Sequence, residues 1–521
     1  MQFAEWLSKL SPSSVLLSVS IVYVLFRLLR IGHREHGLPP GPKTLSILGN
    51  IHQFPQQFPQ LKFVEWMKEF GEIFTIKLFN SNMIIISSPA AIKDILDTRG
   101  ALTGGRPKSH MQRAAQGLHF VLEGTENPVW KRGRKAITRF LTTDNLNLYM
   151  ATQKVEYVQM LNDVLTKPDD IYNHIRRTSA SVMTSLVYGK KCLTFQNSSA
   201  EEYFEGIKLF NETNDPGAYP PIELLPWLKH TPRWLAPWTE HIERTTRVRN
   251  TLYYGLLAEL EEKRKVNKAE PCYMNYVLDN VEKLGMSYDE VVFLGAVLMD
   301  AGGETASSYL QSFVLAMLNF PDAQKKAQKE IDAVIGNDRL PCFTDYDSLP
   351  YLRALVDEVH RFRPILPIGL PRIATQDLVY KDYVLPKGSM LVLNAWGLFH
   401  DPELFDTPDV FRPERYLDSK YGTKSGVNTE ALRDNIAFGA GRRICPGEEM
   451  GRRTIAMNTM NLLWAFKLTP KQGESSTMDM DSYSPGLEMA PKPFSCNIVP
   501  RVEARAELIR AEFESLAKLD S

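Results

Sequence analysis

The sequence predicts a mainly α-helical protein with a minor β region. Three observations carry that expectation. Helical patterns dominate from residue 89 to about residue 335. Strand-like runs fall within residues 73–87, and short strands and loops fill residues 368–416. No internal repeat divides the 521 residues, so one large helical domain fits as well as the roughly three domains that length alone suggests. The composition is that of a globular chain able to bury a sizeable core. Lys plus Arg number 61 and Asp plus Glu number 61, and the zero net charge argues against nucleic acid as the main partner. The five cysteines, Cys192, Cys272, Cys342, Cys445 and Cys496, are scattered. They form neither a disulfide framework nor a zinc spacing, which fits a reducing compartment.

Residues 15–26 are nearly all apolar, and Leu28 and Leu29 extend the run past Arg27. The run is short for a spanning helix, which wants roughly 20 residues, but Arg27 is placed to snorkel. Arg30 and Arg34 follow, and the positive-inside rule puts the rest of the chain in the cytosol. No small-x-small cleavage site follows directly, so an uncleaved membrane anchor is expected rather than a secretory signal. The glycosylation patterns at Asn197-Ser198-Ser199 and Asn211-Glu212-Thr213 would then go unused. Leu38-Pro39-Pro40-Gly41-Pro42 reads as a stiff, non-helical connector.

A hairpin is expected next, with strands Ile73–Leu78 and 83–87 around a turn at Asn80-Ser81-Asn82. Residues 216–238 carry six prolines and three tryptophans, too many prolines for a helix. That stretch reads equally as an ordinary loop or a lipid-facing entrance. Residues 287–320 read as one long helix, opened by a Ser287/Glu290 capping box and ended by Pro321. Pro350–Phe362 is a second helix, with Glu358 and Arg361 on one face. Residues 501–519 form a charged amphipathic tail helix with Leu508, Ile509, Phe513 and Leu516 on its apolar side. The expected division is residues 1–37 as anchor and basic flank, 38–500 as the main domain and 501–521 as the tail.

The most informative stretch is Phe438-Gly439-Ala440-Gly441-Arg442-Arg443-Ile444-Cys445-Pro446-Gly447. It fills every fixed position of F-x-x-G-x-R-x-C-x-G. Five specified positions at about 5% each, over roughly 500 registers, match by chance about once in 10⁴ sequences. Pro446, with Glu448 and Glu449 after it, marks a helix start. A cysteine placed there faces unpaired N–H groups and the positive end of the helix dipole, which favour thiolate. In the long helix, Ala301-Gly302-Gly303-Glu304-Thr305 spends about 1 kcal/mol per glycine relative to alanine. The pair either opens a groove to a ligand, leaving Glu304 and Thr305 to relay protons, or packs against a neighbour. In the second case Thr305 would bond a carbonyl one turn back.

The cysteine stretch resembles the haem-ligand loop of the cytochrome P-450 family, and the other motifs follow in that family's order. Glu358 and Arg361 resemble its E-x-x-R element. Pro413-Glu414-Arg415-Tyr416 resembles its P-E-R-F element with Tyr for Phe. Trp130 and Arg134 fit W-x-x-x-R, and residues 301–305 resemble A/G-G-x-D/E-T. The likeness runs from residue 38 to about residue 499, and it implies a P-450 fold behind the anchor helix.

It further implies haem b with Cys445 as axial thiolate ligand, and Trp130, Arg134, Ala301, Arg372, Phe438, Arg443 and Gly447 around the cofactor. Glu304 and Thr305 become the proton path. Glu358, Arg361 and Arg415 become a buried structural triad supporting the cysteine loop.

The implied function is a monooxygenase of the endoplasmic reticulum membrane. It would insert one atom of O₂ into a hydrophobic small molecule, with NADPH electrons arriving through a separate reductase and cytochrome b5 as an optional second donor. Lys131, Arg132, Arg442, Arg452 and Arg453 are expected to supply a basic docking face for that reductase. The pocket is expected near Phe293, Leu294, Val297, Ala301, residues 365–370, residues 106–121 and Leu487. Desaturase, isomerase and dehydratase reactions on the same fold are the alternatives. A haem-binding sensor and a haem-free helical scaffold are the rivals from other classes.

Overall fold

The long helix organises everything else. In the computed structural model, which describes residues 12–117, 119–214, 219–220, 222–223, 225–473 and 476–519, it spans Tyr288–Asn319. Ser287 caps it: its hydroxyl accepts from the Glu290 N–H at 3.2 Å, and its own N–H donates to the Glu290 carboxylate at 2.8 Å. The segment is apolar nearly all round, so it is buried nearly all round. It runs between the helices Ile171–Tyr188 and Glu448–Ala465. One core cluster joins its C-terminal half to the Pro350–Phe362 and Glu448–Ala465 helices. A second joins its N-terminal half to Ile171–Tyr188 and to Trp238–Lys265.

The β region lies to one side. The hairpin of β1 (Ile73–Leu78) and β2 (Ser81–Ile86) starts a four-stranded sheet. The sheet is completed by β3 (Arg372–Ile373) and β6 (Met390–Leu393), in the order β1-β2-β6-β3. Between them in sequence, β4 (Leu378–Tyr380) and β5 (Tyr383–Leu385) form a separate two-stranded ribbon. A last ribbon pairs β7 (Phe466–Pro470) with β8 (Cys496–Pro500). The hairpin turn is tighter than expected. Leu78 pairs with Ser81, and Phe79 takes the left-handed φ of 51° that a two-residue turn demands. The parallel pairing of β2 with β6 joins segments some three hundred residues apart, a contact no local pattern announces.

The proline connector is pinned rather than free. The Thr75 N–H donates to the Pro40 carbonyl at 2.7 Å, and Arg34 Nη2 donates to the Pro42 carbonyl at 2.5 Å. A side chain at Gly41 would come within 2.1 Å of the Thr75 carbonyl oxygen, which explains the glycine. Upstream, Pro12–Arg30 is helical, with Leu16, Leu17, Val22 and Phe26 exposed. Among the described residues no helix is long and apolar enough to cross a membrane. The proline-rich stretch falls partly outside the described residues. Its described part holds two short turns, with Trp227 66% and Trp234 80% exposed.

The tail helix, Glu503–Leu519, closes the core rather than trailing from it. Ile509 is buried in the first core cluster, and Leu508, Phe513 and Leu516 pack beside it. Arg505 is buried, donating to the Trp464 carbonyl at 2.6 Å and pairing with Asp332 at 2.7 Å. Ile509→Ala is expected to cost about 2–5 kcal/mol of stability. The same truncation at exposed Leu148 should stay within about 0.5 kcal/mol. Urea denaturation of the two variants checks this.

Candidate active site

Cys445 sits at the end of a loop that folds back on itself. Its N–H donates to the Phe438 carbonyl at 2.8 Å. Gly441 is needed here: its φ is 51°, and a Cβ would lie 1.9 Å from the Leu96 carbonyl oxygen. The close approach is therefore to protein backbone. The π-helical turn Ile92–Thr98 supplies that backbone and also Asp97. Asp97 accepts from the Gly441 N–H at 2.5 Å and from Arg433 at 2.7 Å. The following helix begins at Glu448 with Gly447 as its cap, two residues later than Pro446 suggested. A Cβ at Gly447 would meet only the Cys445 Sγ, at 3.8 Å, so that side of the sulfur is open. Burial raises the Cys445 thiol, opposed by the Gly447 N–H and by Arg134. Desolvation outweighs the helix-end effect read from the sequence, so a positive partner at the sulfur is needed to hold a thiolate.

Around this loop gather three arginines that, among the described residues, make no direct ion pair. Arg106, Arg372 and Arg443 all donate to backbone carbonyls. Arg106 reaches Leu370 at 2.8 Å and Pro371 at 2.6 Å, Arg372 reaches Ala440 at 2.7 Å, and Arg443 reaches Gly104 at 2.7 Å. Arg372 Nη1 is buried with no partner. Burial depresses Arg372 and Arg443 to about 10 and Arg106 well below its usual value; neighbouring arginines depress all three further, opposed only in part by Asp97 near Arg372 and by Glu126 and Glu123 near Arg443. Arg106 nevertheless keeps accessible surface, as a group lining an internal space does. Trp130 lies under the Arg443 guanidinium at 5.2 Å, and Arg134 donates to the Ile444 carbonyl at 3.1 Å. The donor set fits a buried group bearing more than one carboxylate. The sequence places Arg106 at the edge of the pocket region 106–121 but not among the carboxylate-binding arginines; a lone arginine in a loop carries no such signal until the fold sets it beside two others.

The central helix supplies the opposite wall. Ala301 is exposed and Thr305 half-exposed in the middle of a helix whose flanks are buried, so this face looks into open space. The Thr305 hydroxyl donates to the Ala301 carbonyl at 2.6 Å. Glu304 is buried, and Asn211 donates to it at 2.8 Å, so that candidate glycosylation asparagine is an interior partner. The glycine pair is a packing device. A Cβ at Gly302 would lie 2.5 Å from Met183 Sδ, and one at Gly303 would lie 2.8 Å from the Tyr203 hydroxyl. The helix runs unbroken through it. The opening to a ligand comes from Ala301, and the glycines let neighbouring helices approach.

These features find their counterpart among known proteins. The Cytochrome P450 family profile matches residues 39–498. The chain belongs to the cytochrome P450 family. Cytochrome P450 monooxygenase ple5B of Rhodocybe pseudopiperita is 37% identical over 98% of both chains. Cytochrome P450 monooxygenase ARMGADRAFT_1018417 of Armillaria gallica is 34% identical over 96% of this chain and 97% of that one. A zebra fish cytochrome P450 structure with abiraterone shares the fold, with a TM-score of 0.68, 24% identity and coverage of 85% of this chain and 100% of that chain. The monooxygenase class follows from such relatives, and a haem-thiolate cofactor from the family.

The expected triad is formed, but it holds residues 399–412 rather than the cysteine loop itself. Glu358, Arg361 and Arg415 meet with no side-chain exposure: Arg361 Nε donates to Glu358 at 2.8 Å and Arg415 Nε lies 3.0 Å away. Their remaining bonds go to residues 399–412, through the Phe399, Asp406 and Val410 carbonyls and the Arg412 N–H, and not to the cysteine loop. The same helix reaches that loop through His360, whose ring lies 5.8 Å from Phe438. The expected basic face is smaller than the sequence suggested. Arg132 pairs with Glu290 at 2.5 Å, Arg452 with Glu448 at 3.1 Å, and buried Arg453 with Glu449 at 2.7 Å. Lys131 and Arg442 remain exposed. Glu358→Gln leaves two buried guanidiniums short of charge and should cost about 3–5 kcal/mol, with haem content falling in parallel. Thermal melting and the absorbance of the purified protein measure both.

Proposed function

We propose that this cytochrome P450 inserts one atom of O₂ into an apolar small molecule, drawing NADPH electrons through a separate reductase. The observation that carries the reading is the set of three anion-seeking guanidiniums, Arg106, Arg372 and Arg443, gathered at the Cys445 loop. Haem, when bound, would supply oxygen activation, which a thiolate ligand favours. Cys445 would supply that thiolate, and the guanidiniums with Trp130 and Arg134 would hold the carboxylates. Ala301 keeps the facing wall open. Thr305 Oγ1 and the Glu304 carboxyl hold and pass protons. Phe293, Leu294 and Val297 lie on the same helix and are buried, which suits an apolar substrate.

Lys131 and Arg442 are the exposed cations offered to an acidic reductase, with cytochrome b5 as an alternative donor. Exposed apolar residues on Pro12–Arg30, together with Trp227 and Trp234, support a membrane-bound protein of the endoplasmic reticulum with its catalytic domain in the cytosol.

The test is expression in microsomes with a reductase and a mixed library of lipophilic compounds under labelled O₂. A product carrying one labelled oxygen is the expected outcome, and Cys445→Ala should remove it. Products without label would instead place the enzyme among desaturases, isomerases or dehydratases. Thr305→Ala is expected to lower product formed per NADPH on the order of tenfold or more while haem content stays unchanged. Full coupling in that variant would remove Thr305 from the proton path.

A further inference from the structure

Glu304 has a partner that the sequence did not single out. Glu488 lies on the irregular segment between β7 and β8, and its carboxyl is hydrogen-bonded to that of Glu304. The segment is held rigidly. Ser484 Oγ donates to the Glu488 carbonyl at 3.1 Å and accepts from the Ala490 N–H at 3.2 Å, and the Met489 N–H donates to the Ile365 carbonyl at 2.8 Å. Glu488 Oε2 is buried and accepts no hydrogen bond. A buried carboxylate oxygen without a donor, set against a second carboxyl, is accommodated when it carries a proton.

We propose that Glu304 and Glu488 share one proton and that Glu488 is the residue that recharges Glu304 during turnover. This rests on the reading of Glu304 and Thr305 as the proton path. The surroundings fix which acid keeps the proton at rest. Burial raises Glu304, and Asp300 on its own helix adds to the rise; against them stand Glu488, the Asn211 amide from the helix Ser199–Asn214 and Arg176 from the helix Ile171–Tyr188, while Tyr172 and Tyr203 also face the pair. Glu488 faces the Glu304 and Asp300 carboxylates, which with burial raise it well above the usual carboxylate range. Glu304 has the Asn211 donor and Glu488 Oε2 has none, so at rest Glu488 is neutral and donates to an ionised Glu304.

The cycle balances without another reagent. The O–H bond on Glu488 breaks as one forms on Glu304, and the charge of the pair is unchanged. Glu304 then releases its proton on the Thr305 side. The pair, now doubly ionised, regains one proton from water. Two like charges set side by side make that recovery strongly favourable. Glu488 thus acts through Glu304, as a proton-holding residue rather than a group touching substrate.

The experiment uses the haem-loaded full chain with ¹³C-labelled glutamate, followed by infrared spectroscopy through a pH titration. One protonated glutamate band should persist at pH 7, disappear in Glu488→Gln and shift in frequency in Glu304→Gln. Absence of the band at pH 7, or its survival in Glu488→Gln, overturns the proposal. In turnover, Glu488→Gln should lower product per NADPH on the order of tenfold, with coupling recovering as pH falls, and Glu488→Asp should restore it. A coupling and pH profile like those of the unaltered enzyme overturns the proposal. Loss of haem in both Glu488 variants marks a merely structural role and does the same. Thr305→Ala separates the layers: if it stays coupled, the underlying proton path fails, and if it alone uncouples, only the role of Glu488 fails.

Discussion

A guanidinium taken out of water without a directly paired carboxylate is costly, and this fold holds three of them beside one cysteine. Arg106, Arg372 and Arg443 come from separate segments of the chain and meet only through carbonyl oxygens. Their mutual repulsion is met in full only by an anionic group bound among them. The same holds for the Cys445 thiol, which burial drives toward its neutral form until a cation reaches the sulfur. The site is thus built as two complementary deficits, positive around the rim and negative at the sulfur. A metal-bearing ring with carboxylates satisfies both at once.

Holding those deficits in place requires a rigid frame, and the frame is itself electrostatic. Glu358 spends its oxygens on Arg361, Arg415 and the Arg412 N–H, and the two arginines spend their remaining donors on carbonyls of residues 399–412. Such a network gives little net stability over an apolar core, but it admits one geometry. The Asp97–Arg433 pair performs a similar service on the other side, tying the π turn to the bend at Gly441.

Much of this was legible in the sequence because its cues are local. The Ser287/Glu290 box, the Pro321 stop and the Pro350–Phe362 periodicity each act within a few residues, and the helices follow. Cys445 was legible because its loop needs glycines and a cysteine at fixed offsets. What escaped depends on distant segments meeting. Arg106 and Glu488 look like ordinary loop residues until β3 and the β7–β8 connection bring their surroundings together. The glycine pair at 302–303 shows the converse: its cost was plain, but whether a ligand or a neighbouring helix fills the space is decided by Met183 and Tyr203. Among the basic residues, the Arg132–Glu290 pair depends on distant segments in the same way, whereas Arg452–Glu448 and Arg453–Glu449 are i,i+4 helix pairs whose spacing the sequence already carries.

The pinned connector has a mechanical side. Pro40 bonded to Thr75, Arg34 to Pro42, and buried Lys77 reaching Glu35 at 2.5 Å together remove the swivel that a free linker would provide. Residues 34–42 and the β1–β2 hairpin then move as one body, with the helix Pro12–Arg30 only a few residues away. Any surface that grips the helix dictates the tilt of the whole catalytic body, and with it the direction in which Trp227 and Trp234 point.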